Sequence, residues 1–231
     1  MHIDLNADLG EGCGSDAELM PLITSANVAC GFHAGDAATA FSTLQLAAKH
    51  GVRVGAHPGF PDREHFGRRE LVRSEQQVFE DSVYQIGALL GLARAAAVAV
   101  SYIKAHGALY NMACRDDAYA LPLVRAAETF ALPLLGLPGS RLQALCQGRC
   151  RFVAEGFADR RYRPEGSLVP RSEPDAFIET AEEAVQQALL LLRERKIETL
   201  CVHGDNPKAL EFVCQLRGQL QLQGIEVRPF T

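Results

Sequence analysis

A chain of 231 residues, 48% hydrophobic and 22% charged, has enough material for one sizeable core and is too apolar to be disordered. Its formal net charge of −5, from 23 basic and 28 acidic residues, comes without any basic stripe, so nucleic acid is excluded as an expected partner. No apolar run reaches the roughly 20 residues that cross a membrane, the first residues lack the pattern of a signal peptide, and seven scattered cysteines read as reduced thiols, which together predict a cytoplasmic protein.

Short apolar runs alternate with amphipathic segments along the chain. A first strand is predicted at 1–5 and leads into Asn6, Asp8 and Glu11. A second, at 26–29, leads into Cys30 and His33, and a helix over 39–50 is stopped by Gly51. The third strand, 52–55, precedes His57 and then Arg68 and Arg69. Ser74 and Gln77 carry a capping-box pattern at the head of a helix over 74–90. Strand 99–104 ends on Lys104 and leads to His106 and Asn111. Helix 117–130, strand 132–135 and helix 140–147 follow, and strand 152–154 precedes Glu155 and the run FADRRY. A long helix is predicted over 174–195, with Pro174 in its first turn. Strand 199–202 precedes His203 and Asp205, helix 206–223 ends at Gly224, and 225–227 forms a last strand.

Repeated β/α units imply a parallel sheet in a single domain spanning 1–231. Seven or eight units favour closure into a barrel, because closure removes exposed edges. An open doubly wound sheet is the alternative, weakened by the lack of GxGxxG after the first strand.

Four of the seven histidines (His33, His57, His106 and His203) fall just past a predicted strand and within two residues of a Gly or Pro. Ligands of parallel α/β folds bind at the carboxyl ends of strands, and independent structural histidines would not gather there. Asp8 stands where a general base or a metal ligand is useful, against the plainer reading of a turn or cap residue. Lys104 ends an apolar strand, a costly place for an ammonium unless it faces a polar cavity. Arg68 and Arg69 suit a carboxylate or phosphate clamp, with one of them a surface charge. Cys30 reads as a buried thiol, and Cys146 and Cys150 lack the second pair of a zinc site. Tyr110, Phe157 and Tyr162 are candidates for pocket walls or for core packing. Asp8, Lys104 and His106 are thus the candidate catalytic set, and Asn6, Glu11, His33, His57, Arg68, Arg69, Asn111, Glu155, His203 and Asp205 the candidate substrate contacts.

The segments DLNADLGE (4–11), SANVACGFHAGD (25–36), GAHPGFPD (55–62), FGRR (66–69), KAHGALYN (104–111), AEGFADRRY (154–162), GSLVPR (166–171) and CVHGDNPKA (201–209) together resemble the LamB/YcsF family, described as the A subunit of bacterial 5-oxoprolinase. They stand in family order across almost the whole chain. The resemblance implies a distorted, seven-stranded, TIM-like β/α barrel related to those of glycoside hydrolases and polysaccharide deacetylases. It also implies ATP-dependent hydrolysis of 5-oxo-L-proline to L-glutamate, in company with partner subunits B and C. The chain departs from the family pattern in the Gly-Cys-Gly-Ser segment after Glu11, in Ala105 where a Pro is usual, and in Glu64-His65 before FGRR. No P-loop GxxxxGK[ST] occurs, so most of the ATP chemistry is expected on the partners. In that scheme Asp8 or His106 is the base, Lys104 and one histidine stabilise developing charge, and Arg68 or Arg69 holds a carboxylate or phosphate. A divalent metal is left open, since Asp and His at strand ends can hold one but no dedicated spacing such as HExxH is present. The alternatives are a stand-alone metal-dependent amidase or carbohydrate deacetylase, and a non-catalytic lactam or sugar binder.

Overall fold

The first strand explains the architecture. In a strand, successive side chains point to opposite faces. In β1 (His2–Leu9), Ile3, Leu5, Ala7 and Leu9 alternate with Asp4, Asn6 and Asp8. Ordinarily one face of such a strand meets water. Here Asp4 and Asn6 are as buried as the apolar set, because the polar face lines the inside of a closed barrel. The computed structural model describes residues 1–202 and 209–231.

The barrel consists of β1, β2 (Ser25–Ala29), β3 (Arg53–His57), β4 (Val100–Ile103), β5 (Leu134–Gly136), β6 (Phe152–Phe157) and β7 (Thr199–Val202), all parallel. β1 pairs with β2 along Asn6–Leu9 and with β7 along Asp4–Ala7, which closes the ring. A two-residue strand, β8 (Glu226–Val227), adds to the start of β1. This is the distorted seven-stranded barrel expected, and the open-sheet alternative falls. Outside lie α1 (Asp16–Leu19), α2 (Ala37–His50), α3 (Glu75–Ala95), α4 (Gly107–Arg115), α5 (Asp117–Phe130), α6 (Arg141–Cys146), α7 (Ala181–Leu190) and α8 (Ala209–Leu222). Among the described residues no helix is long and apolar enough to cross a membrane.

Local signals are realised where they rest on backbone chemistry. Ser74 accepts from the Gln77 N–H while the Gln77 side chain accepts from the Ser74 N–H, completing the capping box. Gly51 ends α2 in the left-handed region at φ 66°. Several predicted boundaries move, among them three strand ends. β1 runs on to Leu9, β3 to His57 and β6 to Phe157, so Asn6, Asp8, His57 and Glu155 lie within strands rather than after them. Their polarity, which reads as the start of a loop, belongs instead to the barrel lumen. The helix predicted at 174–195 starts only at Ala181, capped by Thr180, whose hydroxyl accepts from the Glu183 N–H, and it ends in a π-helical turn, Leu191–Arg195. Residues 158–180 form an arm pinned by bridges between Arg160 and Phe177 and between Tyr162 and Leu168. α4 is a helix that the polar run 104–111 did not announce. The helix predicted over 206–223 begins outside the described residues.

The lumen is built in polar layers. Asp4 accepts hydrogen bonds from Ser25 (2.6 Å), Thr24 (2.7 Å) and Thr199 (2.5 Å) near the amino ends of the strands. Above it, Asn6 donates to Thr199 (2.7 Å) and Glu155 (3.1 Å), and Asn27 donates to Asn6 (2.7 Å). Tyr102 donates to Asn27 at 2.7 Å, and its ring occupies space that Gly55 leaves free: a Cβ on Gly55 would sit 2.0 Å from that ring. Phe230 closes the amino end, edge-on to Tyr102 and bracketed by Arg53 and Arg151. The open end therefore lies at the carboxyl ends of the strands.

Candidate active site

Lys104, the first residue beyond β4, points into the lumen and is 2% exposed. Its ammonium meets Glu155 at 2.9 Å, Asp8 at 3.0 Å, the Cys201 sulfur at 3.0 Å and the Asn6 carbonyl oxygen at 3.2 Å. Three N–H bonds are thus shared among four acceptors. Burial by itself pulls a lysine pKa down, but Asp8 and Glu155, with the hydrogen bond to the Cys201 sulfur, outweigh it and hold the ammonium charged, well above the ordinary lysine range. The Cys201 thiol is pushed up by burial and stays neutral. Asp8 Oδ1 is held by Lys104 and by the Asn27 amide at 2.8 Å, which leaves Oδ2 to face His57 Nε2 at 3.4 Å. Asp8 thus has one oxygen fixed by two donors and the other beside His57, and the residue lines the cavity.

Three histidines stand beside it. His57 ends β3, His106 immediately precedes α4, and His33 comes from the loop after β2. The His33 and His106 rings are stacked with centroids 3.8 Å apart, and His57 is edge-on to both. Glu11 Oε1 lies 3.2 Å from His33 Nε2 and 3.3 Å from His106 Nδ1. Burial, followed by the neighbouring imidazoles, holds His33 and His106 well below the ordinary histidine range, so both are neutral at pH 7. Glu11, His33, His57 and His106 form a group able to hold a metal ion.

Backbone geometry at 66–67 seats this cluster. Phe66, at φ 56°, occupies the left-handed region that bulky residues rarely adopt, and its carbonyl accepts from His106 Nε2 at 2.8 Å. Gly67 follows at φ 64°, and a Cβ there would come within 2.7 Å of His33 Cβ and 3.0 Å of the His106 ring. Gly67→Ala is therefore expected to lower stability by about 1–3 kcal/mol, read as a shift of the urea midpoint, with displacement of both imidazoles. An unchanged midpoint would show that the two rings give way freely.

A cavity of about 560 Å³ opens above these groups, within the usual range for ligand sites. Of the sequence-predicted residues, Asp8, Glu11, His57, Lys104, His106, Arg68 and Asn111 line it. Asn6 and Glu155 lie beneath, bonded to Lys104, and His33 backs His106. The two adjacent arginines part company. Arg68 faces the cavity, while Arg69 is half-exposed on Asp62 at 3.2 Å and is not among the lining residues. His203 and Asp205 lie outside the described residues. Tyr110 and Phe157 wall the cavity edge-on, centroids 5.7 Å apart, whereas the Tyr162 hydroxyl accepts from the Phe157 N–H behind the wall. Cys30 is only partly buried as a residue, though desolvation pushes its thiol pKa up to about 12.

Several functional residues escaped the sequence reading. Asn27 fixes Asp8 and sits mid-strand among small apolar residues with no signal of its own. Arg160, Arg163 and Arg171, from the arm at 158–180, line the cavity. Arg160 is buried and donates to the carbonyls of Val169 (2.5 Å) and Ala176 (3.3 Å). Burial, with Arg171 nearby, brings its pKa down to about 10, still charged at neutral pH. The cluster of arginines in RRYR and VPR was the available signal.

The site and fold have relatives. The chain is 44% identical over 247 residues to the 5-oxoprolinase A subunit of Tolumonas auensis, covering 98% of each. The crystal structure of a lactam utilization protein from Thermus thermophilus superposes with a TM-score of 0.91 at 42% identity, over 100% of both chains. The catalytic domain of a peptidoglycan N-acetylglucosamine deacetylase from Eubacterium rectale shares the fold alone, with a TM-score of 0.55 at 12% identity over 99% of this chain and 88% of that one. A family model matches residues 3–231, essentially the whole barrel with its polar lumen: the chain belongs to the LamB/YcsF family.

Proposed function

We propose that this chain is a subunit of a 5-oxoprolinase and opens the lactam ring of 5-oxo-L-proline to L-glutamate, with ATP cleaved in concert with partner subunits B and C. The observation that carries the reading is Asp8, a carboxylate with one oxygen locked by Lys104 and Asn27, lining a cavity that Arg68, Arg160, Arg163 and Arg171 also line. Relatives 44% identical over nearly their whole length carry the name of that enzyme's A subunit, which supports the same assignment.

The lactam is an unstrained amide, so water alone opens it slowly, and phosphorylation of its oxygen makes the ring carbon more electrophilic. Asp8 Oδ2 takes a proton from the water that adds to this carbon. The ring C–N bond then breaks, the nitrogen takes up a proton to become the amino group, and a second water hydrolyses the acyl phosphate so formed, releasing inorganic phosphate and glutamate. Lys104 acts chiefly through Asp8, keeping it ionised and oriented, and it supplies positive charge beside the developing tetrahedral centre. His106 presents a neutral Nδ1 toward the same space and is the second candidate for the base. Arg68 holds the substrate carboxylate or phosphate, and the arm arginines provide the rest of an anionic cradle. The seven cysteines are all free thiols, in keeping with a cytoplasmic protein.

The test is glutamate release from 5-oxo-L-proline, measured with this chain alone and with subunits B and C, with and without ATP. The expected result is silence alone and ATP-dependent release in the complex. No release in the complex would overturn the assignment. A second reading, a stand-alone metal-dependent amidase or carbohydrate deacetylase, draws on the Glu11 and histidine cluster. Hydrolysis by the isolated chain without ATP would favour it.

A further inference from the structure

The sequence Cys146-Gln147-Gly148-Arg149-Cys150 places two thiols four residues apart at the end of α6. Gln147, at ψ 121°, leaves the helix, and Gly148 follows in the left-handed region at φ 74°, as the central residues of a type II turn require. The chain doubles back there. The Cys146 carbonyl accepts from the Arg149 N–H at 2.9 Å and from the Cys150 N–H at 3.1 Å. A turn closed by such a bond holds its end Cα atoms about 6 Å apart, inside the roughly 4.4–6.8 Å that a disulfide spans. The side chains meet as well, with the Cys146 thiol donating a hydrogen bond to the Cys150 sulfur. Cys146 is buried in the core, whereas Cys150 is half-buried at its edge.

We propose that Cys146 and Cys150 are a redox modification site that closes to a reversible disulfide, with Cys150 attacking a peroxide and Cys146 resolving the product. The Cys150 sulfur attacks one peroxide oxygen and the O–O bond breaks. Its proton goes to the departing hydroxide, which leaves as water. The Cys146 sulfur then attacks the sulfur of the Cys150 sulfenic acid. The S–S bond forms, and the displaced hydroxyl leaves with the Cys146 proton as a second water. Two electrons have passed from the thiols to the peroxide. The order of events follows from exposure, since Cys150 is the thiol that an oxidant reaches. The electrostatics agree. The hydrogen bond from Cys146 draws the Cys150 thiol below the ordinary cysteine range; Arg149 adds to this, while desolvation and Glu128 oppose it. Arg149 is itself fixed by Glu128 of α5, through bonds of 2.9 Å from Nε and 2.6 Å from Nη2. The ring so closed spans only five residues, so it constrains the unfolded chain little and makes a labile bond rather than a structural one. Neither thiol lines the cavity, so this chemistry is separate from ring opening.

The test is peptide mapping by mass spectrometry of the folded, pre-reduced protein after exposure to hydrogen peroxide and blocking of the remaining thiols. A Cys146–Cys150 link is expected, with both thiols restored by dithiothreitol. In Cys146→Ser the link is lost, and Cys150 should accumulate as a sulfenic acid trapped by dimedone. In Cys150→Ser the buried Cys146 should stay reduced. If Cys146→Ser fails to fold, the link in the parent and its loss in Cys150→Ser decide the matter. The same map reports Cys13 and Cys214, the exposed cysteines, as internal controls for the dose of oxidant. Oxidation of Cys13 and Cys214 in the folded parent while Cys146 and Cys150 remain unlinked would overturn the proposal. So would oxidation of Cys146 in the folded Cys150→Ser variant.

Discussion

Asp8→Asn is expected to reduce turnover of the reconstituted complex by about 10²–10⁴-fold, the range in which a positioned general base contributes. The change keeps the size and planarity of the side chain, so its oxygen still accepts from Lys104 and Asn27 and the barrel survives. What disappears is the basic oxygen beside His57. The loss should fall on kcat, with KM for 5-oxo-L-proline changed little, because the proposed scheme assigns the anionic substrate to the arginines that line the cavity. Near-parental kcat in a folded Asp8→Asn protein would remove Asp8 from the role and pass it to His106.

Lys104→Met is expected to cost about 3–5 kcal/mol of folding stability, out of the roughly 5–15 kcal/mol that a domain possesses. The methionine fills most of the lysine's volume, so lost packing is the smaller part. The larger part is the carboxylates left behind. Glu155 is fully buried and Asp8 nearly so, and each loses its cation at 2.9 and 3.0 Å. Uncompensated buried charge is far more costly than a missing pair. Urea denaturation measures the change. Adding Glu155→Gln to the lysine variant should restore part of the stability by removing one orphaned charge, and the two substitutions should be strongly non-additive. A loss below about 1 kcal/mol for Lys104→Met, or simple additivity, would mean that water or another cation satisfies the carboxylates.

Particular residues show where reading the chain stops. Lys104 was legible, because an ammonium at the end of an apolar strand is costly unless a cavity receives it, and that argument needs no partner. Asp8 and His57 were legible as site residues but were placed beyond their strands. A polar residue after an apolar run resembles the start of a loop, and only a closed barrel with a hydrogen-bonded lumen turns it into strand. Asn27 was invisible, since its role consists entirely of bonds to Asn6 and Asp8 across the β1–β2 pairing. Arg68 and Arg69 are neighbours of identical chemistry, and the turn at Phe66 and Gly67 alone sends one to the cavity and the other to Asp62.

The alternation of β and α units, the capping box at Ser74, the stop at Gly51 and the gathering of histidines beside glycines and prolines all follow from backbone preferences acting over a few residues. The chain by itself therefore determined the barrel class and most of the chemistry-bearing residues. Tertiary structure decided which way those residues face, which imidazoles are gathered together, and which arginines meet the cavity. These depend on groups brought together from 49 residues apart, as in His57 and His106, or 149, as in Asn6 and Glu155. Hydrogen bonds and charges act over a few ångströms of space, and distance along the chain carries no record of it.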